Sequence, residues 1–298
     1  MTVNNTATPD FLELPPRISE WQRFRRVFLS RGMVVFGMSV LLLLLFTAIF
    51  APLLAPYDPY TPGELPSLAQ PSRDYLLGTD LLGRDTLSRL IYGSRTVLMV
   101  GFISVGISSV VGVSLGILAG YSRGITNMII MRLVDALLCF PMILLALVLS
   151  AVLGSGIRNV IIALSIATIP GYARVACGLT LTLRENDYVL AQQAIGARDI
   201  RTMLLHILPN AFPPLIVLLT MQLGNLILAE AGLSFLGIGI APPGAAWGAM
   251  VNDGYKYLLT NPVLSFAPGL AIMLVVFAFN MVGDGLRDAL DPRLRGLL

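Results

Sequence analysis

Few side chains in this sequence have the types and spacing that chemistry needs. His206 is the single histidine, so a histidine-based metal site or proton relay lacks its second member. Cys139 and Cys177 sit in apolar stretches with no further ligand at metal-binding spacing, and they read as two packed free thiols. The only lysine, Lys256, is not part of a GxxxxGK(S/T) loop, so nothing here cradles a nucleotide phosphate. A nucleophile beside a base, the minimum for a membrane-embedded enzyme, is missing as well. What is left is a small set of charges inside apolar sequence. Arg132 and Asp135 are three apart on one helical face and can pair with each other. Glu230 interrupts an otherwise uncharged run. Charges in lipid face protein or water. Glu230, Arg132 and Asp135 are therefore candidates for a polar pathway or a subunit contact, with structural pairing as the plain alternative for the last two.

The elements that hold these residues are membrane spans. Of the 298 residues, 56% are hydrophobic and 12% charged, and the mean hydropathy is +0.80. Soluble domains carry about 25% charged residues, so this chain needs lipid as its solvent. The clearest run, 33–55, contains LLLLLFTAIFAPLLA and no charge. Prolines rather than a small-residue cleavage site follow it, which predicts a retained span. Six apolar segments are expected, at about 33–55, 97–118, 133–153, 159–181, 213–240 and 265–283. An even number places both termini on one side. Arg73, Arg84, Arg89, Arg95, Arg158 and Lys256 fall on the opposite side, and the majority of the basic residues fall with the termini, among them Arg17, Arg23, Arg123, Arg293 and Arg295. That bias predicts cytoplasmic termini. No basic cluster interleaved with aromatics suggests nucleic acid.

The loop at 182–212 is the most informative stretch. Asn186 or Asp187 can cap a first helix through a side-chain oxygen, with Tyr188, Ala191 and Ile195 on one face. Gly196 suits the position just past a helix end, where positive φ is cheap only without a Cβ. A second helix is expected from about Arg198 to Leu208, ended by Pro209. Its residues Ile200, Met203, Leu204, Ile207 and Leu208 make one apolar stripe. Such a hairpin is too apolar on one side for the cytoplasm and too short to span. It packs on its own bundle, lies in the interface, or docks into a partner's groove.

This segment resembles the "EAA" loop of ABC-importer permeases, with the pattern E-A-A, three residues, G, nine residues, I, one residue, L-P. Aligning Gly196 puts Ala191 on the first alanine and Leu208-Pro209 on the final pair. Leu190 replaces the glutamate, Gln192 the second alanine and His206 the isoleucine. LLGTDLLGRDTLSRLIYGSR (76–95), the run from Met131 to Pro141, LSFLGIGIAPPGAAWGAM (233–250) and FNMVGDGLRDALDPRLRG (279–296) resemble the C-type subunit of dipeptide/oligopeptide/nickel permeases.

The resemblance implies an all-α membrane protein of the type I ABC-importer permease fold, with six transmembrane helices and a cytoplasmic coupling hairpin. It divides the chain into a cytoplasmic N-terminal segment (1–32), a first span with a periplasmic loop (33–95), a permease core (96–284) and a cytoplasmic tail (285–298). It places the chain in the bacterial inner membrane as half of a pore, beside a second, related permease subunit. It also implies one or two ATPase subunits, which hold the ATP and Mg, and an extracytoplasmic solute-binding protein. This chain itself binds no cofactor. Contact with the ATPase would fall on Ala191, Gln192, Ala194, Gly196, Ala197, Arg198, Leu208 and Pro209, while part of the stripe, Met203 and Ile207, faces the chain's own spans. Di- or oligopeptide is the substrate by family frequency, with a nickel chelate, a glutathione-like peptide or an oligosaccharide as alternatives. A stand-alone secondary transporter is the alternative from another class. It would need ionisable residues deep in several spans and an inverted repeat.

Overall fold

A computed structural model of the chain describes residues 20–122 and 124–290. Residues 1–19 and 291–298 of the expected terminal segments lie outside the described residues, and so do Arg17, Arg123, Arg293, Arg295 and the side chain of Arg23. After α1 (Glu20–Leu29) comes α2 (Gly32–Ile49), the charge-free run. A short α3 (Ala51–Leu54) follows, with Pro52 in its first turn, where the missing N–H costs nothing. The longest helix is α4 (Thr86–Tyr121), with 36 residues. At 1.5 Å per residue it measures about 54 Å and overshoots the hydrocarbon core by several turns. It begins at Thr86, so the boundary expected after residue 95 falls inside a helix.

The expected third span is not one helix. Its sequence forms α5 (Ile125–Leu138) and α6 (Met142–Leu153), bent by 88° at the break between them. Pro141 is the physical reason: it lacks an N–H and pushes the residue before it out of the helical region. Then come α7 (Ile157–Leu183), α8 (Asp187–Ala194) and α9 (Asp199–Thr202). Next are α10 (Leu208–Phe235), α11 (Trp247–Tyr255) and α12 (Val263–Leu290), which runs past the expected core boundary at 284. Among the described residues five helical stretches are long and apolar enough to cross a membrane, or six if the bent pair counts as one span.

A second difference concerns Pro209, which does not end a helix. Asp199–Phe235 runs on as one span-length element, through a π turn at Met203–Ile207. There the Leu208 N–H reaches back to the Met203 carbonyl. Widening the turn absorbs the proline, which sits near the start of α10 where a donor is least missed. The second helix of the hairpin is therefore the first turns of a span.

The bundle is organised around α4, which packs along α7 and also meets α2, α3, α5, α10, α11 and α12. Lipid offers no hydrophobic drive for helices to associate, so close packing must supply it. Gly112, Gly116 and Gly120 line the α4 face that meets α7. A Cβ on Gly112 would lie 2.7 Å from the Ile169 carbonyl oxygen and from Tyr172 Cβ, and one on Gly116 2.7 Å from Ala176 Cβ and 2.9 Å from the Cys177 nitrogen. On Gly120 it would lie 2.7 Å from Thr180 Cβ. Tyr172, Ala173, Ala176, Cys177 and Thr180 are buried against this face. Elsewhere on the bundle Arg31 pairs with Asp288, tying the start of α2 to the end of α12.

Gly116→Ala is accordingly expected to destabilise the chain by about 1–3 kcal/mol, the usual cost of overpacking. Gly106→Ala on the same helix meets nothing within 4 Å and is expected to be neutral or slightly stabilising. Thermal unfolding of the two purified variants in one detergent compares them directly. Equal transition temperatures would contradict the close-packed seam.

Candidate functional site

Two ends of the bundle carry polar structure. At one end the hairpin is attached to α4 and α7 rather than hanging free. Tyr121, the last residue of α4, donates its hydroxyl to Asp199 Oδ1 at 3.1 Å and accepts from Gln193 Nε2 at 3.5 Å. Arg184 donates to the Gly120 carbonyl at 2.9 Å and pairs with Glu185 at 3.0 Å. Val189, Thr202 and Ile207 are fully buried beneath.

The first hairpin helix ends as its glycine requires. Gly196 has φ +73°, its N–H bonds the Gln193 carbonyl and the Ala197 N–H bonds the Gln192 carbonyl, both at 3.0 Å. These two bonds satisfy carbonyls that the helix end leaves open. Asn186 occupies the N-cap position, yet its side chain makes no capping bond.

The opposite face of the hairpin is bare. Ala191, Ala194, Gly196, Arg198 and Pro209 are exposed, and Gln192, Ala197 and Leu208 are half-buried. Ile195 is 77% exposed, Ile200 57% and Leu204 53%. The stripe thus divides: Ile207 turns into the bundle, Met203 is half-buried, and Ile200 and Leu204 face outward. Ile200, Leu204 and Leu208 join Val110, Val113 and Leu118 of α4 in lining a groove of about 480 Å³. Small residues and apolar tips outside, with a tethered base inside, suit a surface that seats in another protein.

The three candidate charges separate. Asp135 pairs with Arg174 of α7, not with Arg132; α5 packs on α7, which brings a cation on a neighbouring helix to the carboxylate. Arg132 is exposed. Glu230, the candidate for a polar pathway or a subunit contact, is 1% exposed within this chain. Its Oε1 accepts from the Ser234 hydroxyl at 2.7 Å, and Oε2 has no partner among the described residues. Ser234 Oγ in turn accepts the Ile240 N–H at 3.2 Å. Gly239 and Gly248 let the loop after α10 and the start of α11 press against this helix: a Cβ on Gly248 would overlap the Ala231 carbonyl oxygen and lie 2.7 Å from the Ala231 Cα.

The other end of α4 holds a polar lock, built within the stretch 76–95. Asp80 accepts from the backbone of Leu82 and Arg84 at 2.9 Å, and from Arg84 Nε at 2.7 Å. Arg89, 3% exposed, lies 3.6 Å from the same carboxylate and donates to the carbonyls of Pro59 at 3.0 Å and Gly244 at 3.3 Å. Asp85 caps α4 through the Ser88 N–H at 2.7 Å. Trp247 Nε1 donates to the Leu90 carbonyl at 2.9 Å, its ring lying where a Cβ on Gly93 would be. The alternation of Asp and Arg in LLGTDLLGRDTLSRL was the available signal; its closure onto residues 59 and 244 was not visible.

Among the described residues no group of three or more His, Cys, Asp or Glu side chains is arranged to hold a metal ion.

Residues 112–296 match the family described as binding-protein-dependent transport system inner membrane component. Residues 19–75 match the N-terminal TM domain of oligopeptide transport permease C. The glutathione transport system permease protein GsiD of Pectobacterium atrosepticum is 42% identical over 276 residues, 92% of each chain. The di/tripeptide transport system permease protein DppC of Pseudomonas aeruginosa is 42% identical over 299 residues, covering 98% of this chain and 97% of its own. In fold, the chain is similar to a chain of the MetNI methionine ABC transporter in an inward facing conformation, with TM-score 0.57 and 19% identity over 69% of this chain and 97% of that one.

Removing the Tyr121 hydroxyl tests the tether. A hydrogen bond contributes about 1 kcal/mol, so Tyr121→Phe is expected to speed amide exchange over residues 187–202 roughly fivefold, with α7 and α12 unchanged. Unchanged exchange in the hairpin would mean that the hydroxyl does not hold it.

Proposed function

The chain belongs to the family of binding-protein-dependent transport system inner membrane components, and from that membership we propose that the 182–212 hairpin is where its ATPase partner takes hold. The chain is a multi-pass permease subunit of an ABC importer. The observation carrying the proposal is the two-sided hairpin: bare small and apolar residues outward, hydrogen bonds to Tyr121 and Gly120 inward. Ala191, Gln192, Ala194, Gly196, Ala197, Arg198, Leu208 and Pro209 form the contact. Ala194 and Gly196 let the partner backbone approach, and Arg198 supplies a charge for pairing. ATP and Mg are held by the ATPase, one or two copies of it, and this chain binds no cofactor.

Because the second hairpin helix runs unbroken into α10, a push on the hairpin moves a span directly. ATPase closure opens the pore outward, and release of the hydrolysis products returns it inward. A second, related permease completes the pathway, and an extracytoplasmic binding protein delivers solute to the end that carries the polar lock. The arginine excess near the termini supports a cytoplasmic position for them and for the hairpin, with the spans in a bacterial inner membrane. Small peptides are the solute. In support, relatives similar along nearly their whole length bear the names of glutathione and di/tripeptide systems.

Gly196→Asp tests the hairpin. A Cβ there meets nothing within 4 Å, so the cost is confined to the backbone at positive φ, about 1–2 kcal/mol. The variant is expected to insert normally, to lose peptide uptake at least tenfold, and to leave ATP hydrolysis unresponsive to the binding protein. Gly196→Asn, neutral and more tolerant of positive φ, is expected to keep most uptake. Normal uptake by Gly196→Asp at normal expression would contradict the docking surface.

A further inference from the structure

At the end of α4 away from the hairpin, a cavity of about 400 Å³ opens between α4, the start of α7 and the loops around residues 60 and 240. Its size lies within the range of small-ligand sites, about 300–1,000 Å³. Tyr60, Tyr92, Arg95 and Thr96 supply its polar groups, and Ile157 and Ile240 much of its apolar wall. Arg95 supplies its cation, and no carboxylate among the described residues lies within ion-pair distance of it, in contrast to the buried Arg84 and Arg89 at the same end of α4. It donates Nε to the Ala48 carbonyl at 2.6 Å and Nη2 to the Ile49 carbonyl at 3.1 Å. Those are the last carbonyls of α2, whose partial negative charge steadies a guanidinium but does not neutralise it. Two of its five N–H groups are used. The rest, with a full positive charge, are left for a ligand.

The aromatic groups are placed to help. The Arg95 guanidinium lies 5.4 Å from the centre of the Tyr92 ring, a cation–π arrangement that fixes its plane. Tyr60 meets Tyr92 edge-on at 5.6 Å, and neither phenol hydroxyl has a hydrogen-bond partner among the described residues. A fixed cation, two free hydroxyls and an apolar wall together describe a site for a small anion carrying an apolar body. An ordered guanidinium recognises a carboxylate by paired N–H donors.

We propose that this cavity receives the C-terminal carboxylate of the peptide solute on Arg95, with the Tyr60 and Tyr92 hydroxyls completing its hydrogen bonds and the Ile157–Ile240 wall facing the adjoining side chain. The assignment rests on peptide being the solute. It gives the permease a recognition step of its own at the end where solute enters. A phospholipid phosphate offers the same anionic chemistry to an arginine at this depth, and the test separates the two.

The complete importer, with its ATPase, partner permease and binding protein, is reconstituted in proteoliposomes. Uptake of alanyl-phenylalanine is compared with that of its C-terminal amide, so that the binding protein contributes equally to every permease variant. Arg95→Gln is expected to lower the acid-to-amide ratio of kcat/KM at least tenfold, mainly through KM, and Arg95→Lys to hold it within about threefold. Because Arg95→Gln also removes the bonds to α2, Thr96→Phe serves as a second probe. It fills the cavity while leaving those bonds in place, and is expected to raise KM for both forms about tenfold. An acid-to-amide ratio unchanged in Arg95→Gln would overturn the site, as would a KM unchanged in Thr96→Phe. A phospholipid that co-purifies with the wild-type importer and is lost in Arg95→Gln, with that ratio unchanged, would assign the cation to lipid instead. A wild-type importer that moves neither form would overturn the peptide reading itself, a failure distinct from the others.

Discussion

Along the seam between α4 and α7 there is no room for a methyl group. Gly112, Gly116 and Gly120 bring the α4 backbone against Tyr172, Ala173, Ala176, Cys177 and Thr180. In lipid such contact replaces the hydrophobic drive that holds soluble helices together. Nearly every other helix is placed by reference to this pair. The seam runs toward the hairpin end of α4, where Gly120 also offers its carbonyl to Arg184 and Tyr121 its hydroxyl to Asp199. The same helix is fixed at its other end by Asp85, Arg89 and Trp247. One stiff rod about 54 Å long therefore joins the hairpin end of the bundle to the end that carries the polar lock.

The hairpin and the outer lock use different physics for different reasons. The lock is a closed network: Asp80, Arg84 and Arg89 satisfy one another and nearby backbone carbonyls in a buried setting, which fixes geometry because any shift leaves a buried charge unmatched. The hairpin is open on one side. It leaves Ile195, Ile200 and Leu204 exposed, and its tether is a few hydrogen bonds at an exposed edge. A rigid receiving end and a face that awaits a partner are what a subunit needs if force comes from outside the chain.

Much of this was legible in the residues. Apolar runs marked the spans, and Gly196 marked the turn of the hairpin because only a residue without a Cβ takes positive φ cheaply there. The sequence misled where tertiary context overrode a local rule. Pro209 is a helix breaker by propensity, but a π turn absorbs it and the span continues. The stretch 133–153 was expected to be one span, and Pro141 divides it into two helices bent by 88°. Arg132 and Asp135 have pairing distance in sequence, yet Arg174 on a neighbouring helix takes the carboxylate. Glu230 is fully buried and bonded by Ser234 one turn on, and nothing in the spacing of α10 foretells that. The glycine seam itself, G-x-x-x-G-x-x-x-G in sequence, was read only as apolar span. Hydropathy reports that a helix is in lipid and is silent on which face meets another helix.

The most direct measurement is to purify the tagged chain gently from native membranes, with a photo-crosslinking residue at Ala194, and to identify what comes with it by mass spectrometry. Stoichiometric recovery of a second permease and an ATPase, with the crosslink joining position 194 to the ATPase, is the expected result. A chain that purifies alone and moves solute in vesicles without ATP would contradict it, and would mean that the hairpin serves the chain's own bundle.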